Sequence, residues 1–154
     1  MLDVKFKLAP GHTGDRSWMA PSPLRALYWN VTYACNYRCG ICFTDSGLPA
    51  PDELTTREAK GFIRHARDVG VRDIILSGGE PFVRPDIMEL LAEMASAGIA
   101  VRVASNGSLL SPELLDRLRA ESTIQSFQVS LDTIDPALYG RLHGTSGDML
   151  GRAL

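Results

Sequence analysis

Cys35, Cys39 and Cys42 lie within a single short stretch of a 154-residue chain, and the sequence holds no other cysteine. Three thiols cannot all pair as disulfides, and a reducing compartment disfavours pairing in any case. A structural zinc normally takes four protein ligands, and here a fourth cysteine is missing. The economical reading is a metal site of three thiolates with one open coordination position. Thiolates are the usual ligands of iron–sulfur clusters, and Cys35-Asn-Tyr-Arg-Cys39-Gly-Ile-Cys42 is compact enough for one loop to aim three sulfurs inward. Taken alone, the spacing also leaves room for a structural zinc or for three incidental core cysteines.

Three further segments carry polar groups at places where strands should end. Ser77-Gly78-Gly79-Glu80-Pro81 combines two residues without Cβ, over which a ligand can approach the backbone, with a carboxylate suited to a cation. The competing reading is a glycine turn leading into a helix whose positive end Glu80 complements. Ala104-Ser105-Asn106-Gly107 reads first as a turn, since Ser and Asn bond local backbone readily. In Val129-Ser130-Leu131-Asp132, Ser130 and Asp132 would project to the same side of a strand. Asp132 could instead cap the helix that starts near Pro136.

The elements that must position these groups alternate regularly. Leu27–Thr32, Asp73–Leu76, Ile99–Ala104 and Phe127–Leu131 read as strands, three of them largely apolar on both faces. Thr55-Thr-Arg-Glu58 is a capping box that opens a helix with Ala59, Phe62, Ile63, Ala66 and Val69 at helical spacing, and Gly70 can close it. Pro85–Ala97 reads as a second helix, Ser111-Pro112 starts a third, Pro136–Leu142 a fourth, and Asp148–Leu154 the beginning of another. Such alternation is the pattern of parallel strands covered by helices. Residues 1–23 hold several prolines and glycines without a sustained period and read as an irregular N-terminal extension. The part from Leu24 onward amounts to about four βα units, where a closed barrel of eight takes roughly 250 residues. The chain therefore reads as part of a barrel, the long first interval holding the cysteines.

Composition excludes some classes. The net charge is −2 and 45% of residues are hydrophobic, so the chain is globular and asks for no nucleic-acid or acidic membrane partner. There is no bilayer-spanning apolar run and no secretory h-region in Met1–Pro10, which makes the cytoplasm the default compartment. Tyr33, Tyr37 and Phe43 flank the cysteines as shields or as ordinary packing, and His12, His65 and His143 are scattered with no catalytic pattern.

Cys-x3-Cys-x2-Cys after strand one, followed by Gly-Gly-Glu after strand two, resembles the radical S-adenosylmethionine (radical SAM) superfamily from about residue 24 to the end. The resemblance implies an α/β fold, a partial (β/α)6 barrel of which this chain would supply about the first four units. It implies a 4Fe-4S cluster on Cys35, Cys39 and Cys42, with S-adenosyl-L-methionine chelating the fourth iron. Gly78, Gly79 and Glu80 would then meet the methionine amino group, Ser105 and Asn106 would line the pocket, and Ser130 and Asp132 would hold the ribose hydroxyls or the methionine carboxylate. Ile41 stands where the family usually has an aromatic residue near adenine, so it offers an apolar face without stacking. The glycine-rich segment expected after a fifth strand lies past Leu154.

The implied activity is reductive cleavage of the cofactor to a 5′-deoxyadenosyl radical that abstracts hydrogen, with a reductant such as flavodoxin or ferredoxin. The stretch Ser130–Gly147 resembles peptide- and cofactor-maturing members with a C-terminal SPASM or related extension, although Arg is common where His143 stands. That similarity suggests a peptide as a candidate substrate. The cysteine loop is also similar to that of viperin-type nucleotide-modifying enzymes, and the molybdenum-cofactor cyclases are a third relative. An inactive fragment or a structural metal-binding module is the non-enzymatic alternative.

Overall fold

A computed structural model describes residues 24–145 and 149–153, so the expected N-terminal extension at 1–23 lies outside the described residues. The element order is β1 (Ala26–Thr32), α1 (Thr56–Asp68), β2 (Asp73–Gly78), a short 3-10 turn (Pro81–Val83), α2 (Ile87–Ser96), β3 (Ala100–Ser105), α3 (Pro112–Glu121), β4 (Ile124–Val129), α4 (Pro136–His143) and α5 (Leu150–Ala153). The four strands form one sheet in the order β1-β2-β3-β4, every pair parallel. All four strand ends that lead into the polar segments therefore lie along the same edge of the sheet.

Local chemistry sets the helix ends. The Thr55 hydroxyl accepts from the Glu58 N–H while the Glu58 carboxylate accepts from the Thr55 N–H, so the capping box forms as the sequence requires. Such a cap contributes about 0.5–2 kcal/mol. Ser111 caps α3 with Pro112 in its first turn. At α4 the cap is Asp135, whose Oδ1 accepts from the Leu138 N–H at 2.7 Å, so Asp132 is released from that alternative role. Two boundaries differ from the sequence reading. The second helix runs Ile87–Ser96 rather than Pro85–Ala97, and the fourth strand runs Ile124–Val129 rather than Phe127–Leu131. Ser130 and Asp132 consequently sit in the loop after β4, and strand alternation does not govern where they point.

The core lies between the sheet and its helices. Ile74 and Leu76 of β2 alternate inward with Val101 and Val103 of β3 against Ile63, Leu90, Leu91 and Met94. Each fully buried side chain of this size contributes about 1.5–3 kcal/mol. On β1, Trp29 meets Phe62 of α1 with ring centroids 4.8 Å apart. The opposite face of the sheet is exposed at Tyr28, Arg102, Ser126 and Gln128, so the strands bury one face in place of the expected two. That open face is polar, as the lumen side of a partial barrel is when solvent or ligand fills it.

Candidate functional site

The β1 strand leads into the cysteine loop through a braced exit. The Thr32 hydroxyl donates to the Glu53 carboxylate at 3.0 Å, and the same carboxylate accepts from the Tyr33 N–H at 2.6 Å and the Ala50 N–H at 2.9 Å. Burial alone would raise Glu53, but those hydrogen bonds hold its carboxyl below the ordinary value. Arg84 braces the same corner from beneath, donating to the Val31 and Leu54 carbonyls and pairing with Asp86. The loop then folds back on itself, with Cys35 N–H donating to the Gly47 carbonyl and Gly47 N–H to the Tyr33 carbonyl.

The Gly78-Gly79 step packs directly against this loop. Gly79 N–H donates to the Thr32 carbonyl and Glu80 N–H to the Ala34 carbonyl. A Cβ on Gly78, whose φ is +114°, would strike the Thr32 carbonyl oxygen, and one on Gly79 would strike that of Ala34. The glycines are thus required by two backbones in contact.

The strand ends enclose a cavity of about 310 Å³, lined by Cys35, Cys39, Ile41, Cys42, Phe43 and Thr44 from the loop, by Ser77, Gly78 and Gly79 after β2, and by Ser105 and Asn106 after β3. Ser130, Asp132 and His143 complete the lining from the β4 side. Ten of the eleven residues singled out from sequence therefore meet at one place. Glu80 does not face it. Its carboxylate is wholly buried and accepts from the Ser105 hydroxyl, the Asn106 N–H and the Phe82 N–H, stapling the loop after β2 to the loop after β3. Burial pushes its carboxyl upward against those bonds.

The three thiols stand in different environments. Burial raises Cys35, against hydrogen bonds from the Tyr37 N–H and Asn106. Cys39 is pushed up to about 11 by burial and by the charges of Cys35, Cys42 and Asp132. Burial acts on Cys42 as well, but the Thr44 hydroxyl and the Ser46 N–H, 3.3 Å from its sulfur, bring it below the ordinary thiol. Among the described residues no three His, Cys, Asp or Glu side chains converge closely enough to hold a single metal ion.

Residues that spacing did not reveal contribute as much. Asn36 links the loop to Asn106 and Ser108, and Tyr37, which is 2% exposed, packs edge-on against Tyr139. Phe43 is fully exposed and Ile41 largely so. His143 ends α4 with Nδ1 3.1 Å from Cys39 Sγ. Glu53 and Arg84 left no sequence signal, because each works through backbone groups distant in the chain.

Comparison with known proteins agrees with this geometry. The family model described as the radical SAM superfamily matches residues 29–149. The chain is 40% identical to the AdoMet-dependent heme synthase of Methanosarcina barkeri, over 80% of this chain and 35% of that protein. It is 38% identical to the mycofactocin maturase MftC of Mycobacterium tuberculosis, over 83% of this chain and 33% of the maturase. The fold superposes with a TM-score of 0.70 on Streptococcus suis SuiB bound to S-adenosylmethionine, at 23% identity over 85% of this chain and 31% of SuiB. The chain spans about a third of the length of the curated relatives it matches.

Proposed function

This chain belongs to the radical SAM superfamily, and from that premise we propose that Cys35, Cys39 and Cys42 hold a 4Fe-4S cluster whose fourth iron takes S-adenosyl-L-methionine. The observation that carries the reading is the shared cavity. Three thiols, the Gly78-Gly79 backbone and the Ser105-Asn106 turn all border it. When bound, such a cluster would supply the one-electron chemistry for reductive cleavage of S-adenosylmethionine to methionine and a 5′-deoxyadenosyl radical, which would abstract hydrogen from substrate.

The chain's own residues orient and shield. Gly78 and Gly79 present bare backbone to the methionine end of the cofactor. Glu80 acts from behind them, holding the Asn106 backbone in place, in a supporting role that replaces the direct contact expected of it. Ser130 and Asp132 stand on the opposite side, where ribose hydroxyls or a carboxylate would lie, and Ile41 gives an apolar wall for adenine. The substrate we propose is a peptide or a cofactor precursor: one relative is a maturase, and SuiB is known bound to its precursor peptide SuiA. In the whole protein a SPASM-type extension would complete the substrate side, with flavodoxin or ferredoxin as reductant in the cytoplasm. No helix among the described residues is long and apolar enough to cross a membrane.

Anaerobic reconstitution with iron and sulfide tests this. About four irons per chain should bind, and a variant with all three cysteines changed to alanine should bind none. One zinc per chain in place of iron, or equal iron in the variant, would overturn the reading. With dithionite and S-adenosylmethionine, the loaded full chain should release 5′-deoxyadenosine.

A further inference from the structure

Among the described residues, Cys39 is the one cysteine with an imidazole against its sulfur. Cys35 receives the Tyr37 N–H at 3.4 Å and, more distantly, Asn106, while Cys42 meets Ser46 and Thr44. His143 Nδ1 stands 3.1 Å from Cys39 Sγ. The ring is 4% exposed and lies between Tyr139 and Tyr37, with centroids 4.2 and 5.6 Å away. Its Nε2 is 3.3 Å from Asp132 Oδ2, off the line of a hydrogen bond and with no other partner among the described residues.

The backbone fixes this ring to the loop as firmly as its faces do. Arg38 N–H donates to the His143 carbonyl at 3.0 Å, and Gly40 N–H donates to that of Leu142 at 2.9 Å. The end of α4 is thus bonded on both sides of Cys39. Gly144 follows with a φ of +59°, and a Cβ there would strike the Arg38 carbonyl oxygen. Helix, histidine and cysteine loop form one unit.

We infer that His143 is a positioning residue for the Cys39 ligand, donating its Nδ1–H to the thiolate, with Asp132 beside the other ring nitrogen. The inference rests on the cluster proposed above. A thiolate bound to iron has no proton, so a ring nitrogen 3.1 Å away must supply one or set two lone pairs against each other. The Asp132 carboxylate stands beside the other ring nitrogen without a hydrogen bond to it, so the ring is held by its stacking and by the backbone bonds of the helix end. Hydrogen bonds to cluster sulfurs favour the more negative reduced state and raise its reduction potential. His143 therefore makes the cluster easier to reduce, through one of its three ligands.

The test uses the full chain, reconstituted anaerobically, reduced with dithionite and labelled with 15N-histidine. Pulsed electron paramagnetic resonance should show a weak coupling from a histidine nitrogen to the reduced cluster, together with an exchangeable proton. In His143→Leu the coupling should vanish and the midpoint potential should become more negative. His143→Asn, which keeps an N–H near the position of Nδ1, should fall between the two. No nitrogen coupling in a loaded wild type would overturn this inference and leave the cluster standing, as would one potential shared by all three proteins. A wild type that takes up no iron would overturn both. The labelled wild-type measurement needs no variant to fold.

Discussion

Three thiols in one loop are not chemically equal, and the differences come from individual neighbours. Cys39, pushed up to about 11 by burial and nearby negative charge, is mostly protonated at neutral pH when no cation is present, whereas Cys42 is held lower by Thr44 and Ser46. Because the thiolate is the nucleophile, iodoacetamide should alkylate the unloaded protein first at Cys42, then Cys35, and last at Cys39. Mass spectrometry over a pH series would read the order, and Cys39 reacting first would contradict it. Glu80 offers a second test. Its buried carboxylate accepts from three groups, and the amide of Glu80→Gln cannot accept at both ends. The variant should lose about 1–3 kcal/mol in urea denaturation. Cys35, Cys39 and Cys42 were legible in the sequence because their spacing is local. The inward turn of Glu80 and the contact of His143 with Cys39 were not, since each depends on a loop or helix far along the chain.

Elements matter here chiefly through the way they hold the cysteine loop. Arg84 is 7% exposed and bonds Val31, Leu54 and Asp86 at once. Arg84→Ala should cost about 3–5 kcal/mol, since it strands a paired carboxylate and two carbonyls. Arg84→Lys should recover little, because an ammonium cannot span the same fork. Acid should loosen the same corner. Burial works to raise Glu53 and Asp86, yet their hydrogen-bond partners keep both below the ordinary carboxylate value. Their stabilisation is therefore complete above the unfolded carboxylate range, near pH 4, and disappears as pH falls through the lower folded values. The urea midpoint should drop on that acid limb, and Glu53→Gln should flatten the drop. A limb of the same slope in the variant would contradict this. The helix caps and the alternation of β1 to β3 were readable because Thr55, Ser111 and the apolar periods mark them. The bounds of β4 were not: Gln125 and Ser126 interrupt its apolar pattern, and parallel pairing with β3 alone makes them a strand.

At the scale of the molecule, the sheet is a barrel segment with its helices in place and its lumen face open. Sequence alternation was enough to establish parallel strands under helices. It could not show that one face would be polar and exposed, because Ile75 and Ala104 read as apolar while Tyr28, Arg102 and Gln128 beside them give the face its character. The site lies where parallel strands all end, so the parts described here come from four successive βα units. The central claim is that these units hold a cluster with one iron free for S-adenosylmethionine. Electron paramagnetic resonance of the reconstituted, reduced chain, recorded with and without S-adenosylmethionine, tests it most directly. The cofactor should change the g values of the cluster signal, and Gly79→Ala, which drives a methyl group into the Ala34 carbonyl, should weaken that response. A cluster signal that S-adenosylmethionine leaves unchanged in the wild-type chain would contradict the claim.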